Sequence, residues 1–252
     1  MADSNDRDTV ARFSDRAADY VRYRPAYPAE AVDAILDGLG PPERLVAADV
    51  GAGTGISARL LGARGVRVIA VEPGEGMRRA ADPHPNVAWV AGRAEATGLG
   101  SQAVDLVLCA QSFHWFQRAT TLSEFARILK ERGRLAIAWN RRSTSDPFTA
   151  GYRQAIVDVG GEIAVEGQPF DPNVIGASGL FSSPERQGFP NSQRLDLAGL
   201  IGRARSASYV PKSGAAGERL LSLLRALHER YDDGSGFVTL VYDTEVFCST
   251  RL

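Results

Sequence analysis

Short apolar runs alternate along the chain with segments whose apolar residues recur every three or four positions. "RLVAADV" (44–50), "VRVIAVEP" (66–73), "NVAWVAG" (86–92), "AVDLVLCAQS" (103–112) and "RLAIAWN" (134–140) read as buried strands. Between them, "ISARLLGARG" (56–65) reads as a helix closed by Gly65, and "EGMRRAA" (75–81) as a short one. "RATTLSEFARILKERG" (118–133) places Leu122, Phe125, Ala126 and Leu129 on one helical face. Two helices precede the first strand. The first lies in "RDTVARFSDRAADYVRYRP" (7–25), with Val10, Phe13, Ala17, Tyr20 and Val21 at helical spacing. The second lies in "AYPAEAVDAILDGLG" (26–40), with Pro28 near its start and Gly38 or Gly40 at its end. Strand and helix alternating at this interval predict an α/β fold, a mostly parallel sheet with helices on both faces.

After Asn140 the rhythm breaks. "RRSTSDPFTAGYRQAIVDVGGE" (141–162) begins with turn chemistry and runs into a helix, and residues 162–185 are rich in Gly, Pro and Ser. "QGFPNSQRLD" (187–196) is a candidate strand, while "LAGLIGRARSAS" (197–208) and "AGERLLSLLRALHERY" (216–231) read as helices. "FVTLVYDTEVFCSTR" (237–251) alternates as a final, antiparallel strand. The expected organisation is a core with N-terminal helices over 1–142, a helical lid or acceptor-binding segment over 143–232 in the same domain, and a last strand over 233–252 returning to the sheet.

Composition narrows the function class. A hydrophobic fraction of 44% and a charged fraction of 23% are those of an ordinary globular chain. Lys plus Arg (29) nearly balances Asp plus Glu (30), so no global field draws nucleic acid or an anionic membrane. Cys109 lies in an apolar run and reads as a small buried thiol, and the three histidines and two cysteines are too scattered for a metal cluster. The N-terminus is charged, without the apolar stretch of a signal peptide, and no run is long enough to span a bilayer. A cytoplasmic monomer or homodimer acting on a small molecule is the expectation.

The chemistry concentrates in "DVGAGTGISARLL" (49–61). A helix that starts at the carboxyl end of a strand turns unpaired N–H groups toward whatever sits above the sheet, and Gly51, Gly53 and Gly55 let ligand atoms approach that main chain. Glu72 follows Gly51 by 21 residues, at the end of the next strand, close to the spacing of an acid that holds ribose hydroxyls. The alternative is a tight turn beside a solvated strand end, which the acid at this distance argues against. A dinucleotide fingerprint wants glycine where this chain has Ile56, and about 45 residues precede the first strand, so another adenosine cofactor is favoured over NAD(P).

These residues resemble the class I S-adenosylmethionine-dependent methyltransferases. "DVGAGTG" is similar to their cofactor loop, "VEP" to their ribose-binding acid and "RLAIAWN" to their fifth strand. "FSDRAADYVRYRPAYP" (13–28) and "AQSFHWF" (110–116) point to the small-molecule branch that includes ubiquinone-biosynthesis and trans-aconitate-type enzymes. The resemblance implies a Rossmann-like, doubly wound sheet of seven strands with an antiparallel last strand, S-adenosylmethionine as cofactor and S-adenosylhomocysteine as product. It further implies that Gly51, Ala52, Gly53 and Gly55 pass the methionine part along the backbone, with Asp49 beneath and Glu72 on both ribose hydroxyls. Pro73 and Met77 would flank the adenine, Ala94 would meet its edge with Glu95 adjacent, and Gln111 would sit beside the methionine portion. Tyr20 and Arg24 would fold over the site toward the cofactor's carboxylate. Arg93 stands where many relatives carry an aspartate that receives the adenine amino group, and "GLGSQAVD" (98–105) lacks the usual proline.

For the acceptor, His114 lies after a central strand, where open α/β sheets place their ligands, and is the candidate base if a hydroxyl or an acidic carbon is methylated. Packing in a strand-to-helix corner is its alternative role. Arg141 and Arg142 read first as a solvated turn and second as receivers of an anionic acceptor. The expected activity is O- or C-methylation of a small acceptor such as a carboxylic acid or secondary metabolite. The rivals are a cofactor-binding domain without transfer and an NAD(P)-dependent dehydrogenase.

Overall fold

The computed structural model describes residues 22–160, 171–207, 210–211 and 213–252. The helix expected within 7–25 and the cofactor contact expected of Tyr20 lie outside the described residues. Seven strands form one sheet: β1 Val46–Val50, β2 Arg67–Val71, β3 Val87–Val90, β4 Val104–Ala110, β5 Leu129–Arg142, β6 Glu185–Leu195 and β7 Val238–Thr250. Their order is β3-β2-β1-β4-β5-β7-β6, and β7 runs antiparallel to its neighbours, as expected of a doubly wound methyltransferase-like sheet. The pairs β1–β2, β2–β3, β1–β4 and β4–β5 are parallel. Strand order reverses between β2 and β4 at β1, so ligand chemistry is expected at the carboxyl end of β1. No described helix is long and apolar enough to cross a membrane.

The chain divides into two compact units, each discontinuous in sequence: 26–140, 170–189 and 244–252 make one, and 1–25, 141–169 and 190–243 the other. The first unit carries β1 to β4 and the helices α1 Ala29–Leu36, α2 Ile56–Gly62, α3 Glu75–Arg79, α4 Arg118–Ile128 and α6 Asn173–Gly176. Its strands show why they are strands. Ala48, Val50, Val107, Cys109, Leu135 and Ile137 pack into one buried cluster with Leu122 and Phe125 of α4. Ala47, Val68, Ala70, Leu106, Leu108, Ala136 and Ala138 pack into another with Ala31, Val32, Ile35 and Leu36 of α1. Alternate residues go to opposite faces and both faces are covered, which is why the strands read as unbroken apolar runs.

The other unit contains α5 Pro147–Gly160, α7 Leu197–Arg205 and α8 Gly214–Tyr231. Phe148, Tyr152 and Ile156 of α5, Leu200 and Ala204 of α7, and Leu220 and Leu224 of α8 form its core with Leu240 and Tyr242. Asp146 starts α5 by accepting from Thr149 N at 2.7 Å, and Asp196 caps α7 by accepting from Gly199 N at 2.7 Å. Residues 244–252 group with the 26–140 core, and so do 170–189 from within the expected 143–232 segment.

Two local expectations need correction. The helix expected to run to Gly133 stops at Ile128, and Leu129 is paired with Val104 as the first residue of β5. Residues 130–133 then form an irregularity before Arg134 pairs with Leu106, with Arg132 at φ 57°. Gly133 suits that bend, since a Cβ there would lie 3.0 Å from the Lys130 carbonyl oxygen. Second, Arg141 and Arg142 are strand residues at the end of β5, not a turn, and the Arg142 guanidinium lies 5.1 Å from the centre of the Tyr152 ring.

Candidate cofactor site

The residues at the end of β1 make a turn that only glycine takes easily. Gly51, Gly53 and Gly55 have φ of 68°, 58° and 76°, and α2 starts directly afterwards at Ile56. Gly51 N and Ala52 N donate to the Val71 carbonyl at 2.9 and 3.2 Å, tying the turn to the end of β2. Packing adds a second reason for two of the glycines. A Cβ at Gly51 would lie 2.6 Å from Ser112 Cβ, and one at Gly55 2.9 Å from Cζ2 of Trp89. From sequence, the space at these positions is reserved for a ligand. At Gly51 and Gly55, side chains of the protein itself come within that distance.

Glu72 is held by the same turn. Gly53 N donates to its Oε2 at 2.9 Å and Gly74 N to its Oε1 at 2.8 Å. Each carboxylate oxygen thus keeps acceptor capacity for one further donor, which suits a vicinal diol. Arg78 braces the loop by donating to the Glu72 and Pro73 carbonyls at 2.6 and 2.9 Å. Burial pushes the Glu72 carboxyl above the ordinary glutamate range, against the pull of the two amides and Arg78.

Asp49 lies beneath, fully buried, and accepts from Ser57 Oγ on Oδ2 at 2.6 Å, while its Oδ1 has no hydrogen-bond partner. Desolvation pushes its carboxyl up to about 7, Ser57 and the Ala58 amide pull down, and Glu72 raises it further. Two acids of one sign thus share the foot of the loop. Cys109 is buried and its thiol is pushed up by desolvation, consistent with an inert packing residue.

Met77 is buried at 3% exposure while Pro73 is exposed. Ala94 is buried inside a tight bridge in which Arg93 N and Ala96 N donate to each other's carbonyls. Glu95 Oε1 accepts from Gln117 N at 2.8 Å, at the start of α4. Gln111 sits at φ 59° directly after β4, with its Nε2 donating to the Asn140 carbonyl at 3.1 Å. A non-glycine residue held in that region marks a place where the surrounding structure dictates the backbone. Asn140 in turn accepts on Oδ1 from Thr244 Oγ1. The His114 ring lies 4.5 Å from Trp115 and 5.1 Å from Trp139, between centroids. Arg24 belongs to the other unit, where its Nη2 donates to the Ser206 carbonyl at 3.3 Å.

Sequence reasoning missed Ser112, Gly74 and Ser57. Ser112 Oγ donates to the Val50 carbonyl at 2.8 Å, locking β4 to the glycine turn. Gly74 carried a signal, being the glycine after "VEP", since a Cβ there would crowd Glu72 Oε1 at 2.9 Å. Ser57 carried none, because its partner is defined only once α2 lies over β1.

Residues 48–137 match the family model described as a methyltransferase domain. Over 138 residues the chain is 38% identical to an uncharacterized methyltransferase-like protein of Schizosaccharomyces pombe, covering 54% of each. Over 139 residues it is 40% identical to an uncharacterized methyltransferase of Mycobacterium tuberculosis, covering 54% of this chain and 55% of that one. The chain spans about half the length of the curated relatives it matches. A solved structure from Anaeromyxobacter dehalogenans, assigned as a type II methyltransferase, superposes with a TM-score of 0.65 at 21% identity, over 90% of this chain and 97% of that one. At that identity the likeness speaks for the fold. Residues 48–137 thus match a methyltransferase domain, and the fold built around them is like that of a solved methyltransferase.

Proposed function

We propose that the protein transfers a methyl group from S-adenosylmethionine to a small-molecule acceptor, by O- or C-methylation. The observation that carries this reading is the Glu72 carboxylate, fixed by Gly53 N and Gly74 N with one acceptor position left on each oxygen. That arrangement suits a ribose diol. Bound there, the cofactor would supply an electrophilic methyl on a positively charged sulfur. Glu72 would hold the ribose, Met77, Pro73 and Ala94 would enclose the adenine, and Gln111 would lie beside the amino-acid portion.

The chain then needs chiefly to align the reactants and keep water out, because the donor is already activated. The Gly51–Gly55 turn is pinned to β2 at Val71 and to β4 through Ser112, so the donor's seat is rigid before binding. A carboxylate acceptor needs no base. For a hydroxyl or carbon acceptor, His114 is the proposed base, and its neighbours Trp115 and Trp139 orient the imidazole. One relative supports a carboxyl acceptor. A malonyl-[acyl-carrier protein] O-methyltransferase of Methylococcus capsulatus is 35% identical over 122 residues, 46% of this chain and 44% of that one. The test is an assay with methyl-labelled donor against a panel of small acids, phenols and acidic carbon compounds. Label transferred to at least one acceptor supports the reading. Tight donor binding with no transfer to any of them makes the protein a binding module.

A further inference from the structure

Strand β4 ends at Ala110, paired with Ala138, while β5 runs on to Arg142. Gln111 continues the contact between them in another way. Its N donates to the Ala138 carbonyl at 2.9 Å, and its side-chain Nε2 donates to the Asn140 carbonyl at 3.1 Å. The backbone φ of Gln111 is 59°, a conformation that a residue with a side chain keeps only where its surroundings impose it.

The Asn140 carboxamide is engaged at both ends. Nδ2 donates to the Ala26 carbonyl at 3.2 Å, and Oδ1 accepts from Oγ1 of Thr244 at 2.5 Å. Thr244 is fully buried on β7, the neighbour of β5 in the sheet. The Ala26 carbonyl can only accept, so it fixes which end of the amide faces it, and the Thr244 hydroxyl is left to donate. Ala26, Asn140 and Thr244 are also three of the places where the chain enters or leaves the unit made of 26–140, 170–189 and 244–252. One side chain therefore ties together crossings that lie 114 and 104 positions from it in sequence. Its own carbonyl meanwhile holds Gln111.

We propose that Asn140 is a positioning residue for donor binding: by clasping Ala26 and Thr244 it fixes its own carbonyl, and through that carbonyl it fixes Gln111. The inference rests on the reading that places Gln111 beside the methyl donor. The Asn140 side chain itself touches no reactant in this role. With the clasp released, Gln111 has to be ordered at the moment of binding, which weakens affinity. The coupling is reciprocal, so a donor that requires Gln111 in place steadies the chain at all three crossings.

The test is titration calorimetry of S-adenosylhomocysteine into the full-length protein, with hydrogen exchange followed in the stretches 24–28, 138–143 and 242–246. Asn140→Leu keeps the size of the side chain and removes both of these bonds, Thr244→Val removes only the hydroxyl, and Thr244→Ser keeps it. Binding should weaken about tenfold in Asn140→Leu and about threefold in Thr244→Val, and stay at the wild-type level in Thr244→Ser. Gln111→Gly tolerates the positive φ and removes the side chain. In that background Asn140→Leu should weaken binding by less than about twofold, because the clasp acts through Gln111. The ligand should slow exchange in all three stretches of the wild type and in none of them in Asn140→Leu. Wild-type affinity in both Asn140→Leu and Thr244→Val, a full loss retained in the Gln111→Gly background, or ligand protection that Asn140→Leu leaves intact would each overturn the proposal. If Asn140→Leu does not fold, Thr244→Val set against Thr244→Ser decides by affinity and exchange. No heat with the wild type removes the methyl-transfer reading and this proposal together. Clear binding without transfer to any acceptor removes the transfer alone and leaves the clasp standing.

Discussion

Asp49 should make the free protein less stable as pH rises, and Asp49→Asn should remove that dependence. The carboxyl is fully buried, with one oxygen bonded to Ser57 and the other unpaired, and its folded value is about 7 against an ordinary value of 3.8. A carboxyl raised in the folded state holds its proton there over a range where the unfolded chain has lost it. The unfolded state therefore binds fewer protons, and stability falls as pH rises from about 4 through about 7. Between about pH 5 and about pH 8 the shift corresponds to a loss of about 3 kcal/mol. Asn keeps an acceptor for Ser57 Oγ and carries no charge, so its stability should be nearly flat over that range apart from the smaller, same-signed contribution of Glu72. Urea denaturation of both proteins at the two pH values, without cofactor, measures the difference. Parallel pH profiles for wild type and Asp49→Asn would refute the reasoning.

Gly51→Ala forces a Cβ to within 2.6 Å of Ser112 Cβ at a backbone φ of 68°. The strain and clash together should cost about 2–4 kcal/mol, read as a drop in urea midpoint; an unchanged midpoint would show that the turn is not constrained as described. Glu95→Ala removes the acceptor for Gln117 N at the start of α4 and should cost about 1 kcal/mol, with Glu95→Gln costing less. If Glu95→Ala left stability unchanged and weakened S-adenosylhomocysteine, the carboxylate would be a ligand contact and not a cap. His114→Ala, assayed with a hydroxyl or carbon acceptor found in the labelled panel, should lower kcat by roughly 10²–10⁴-fold with donor affinity unchanged. Equal kcat in the variant would assign His114 to packing against Trp115 and Trp139.

The parallel half of the sheet was legible because its strands are buried on both faces. Residues 47 and 48, 106 and 107, or 135 and 136 go to opposite clusters, yet all are apolar, so each strand reads as one run. The glycine turn and Glu72 were legible for a related reason: positive φ and a strand-end acid leave a mark at fixed spacing. What lies after Asn140 left weaker marks. Strand β6 has only Leu195 buried among its eleven residues, so its pattern carries little inward-facing signal. Leu129 fits both the apolar face of α4 and the register opposite Val104, and only pairing with β4 decides between them. Arg142 reads as polar along the chain but lies over Tyr152, a neighbour fixed by the fold and not by spacing. The same holds for Ser112, whose bond to the Val50 carbonyl spans 62 positions.

Glu72 as the seat of a ribose diol is the central claim, and titration calorimetry of S-adenosylhomocysteine into the wild type, Glu72→Gln and Glu72→Ala tests it most directly. The wild type should bind in the micromolar range, and both variants should bind at least about tenfold more weakly, the loss of about 1.4 kcal/mol expected for a charge-assisted hydrogen bond. Wild-type affinity retained in both variants, or no heat with this ligand beside clear binding of a nicotinamide dinucleotide, would contradict it.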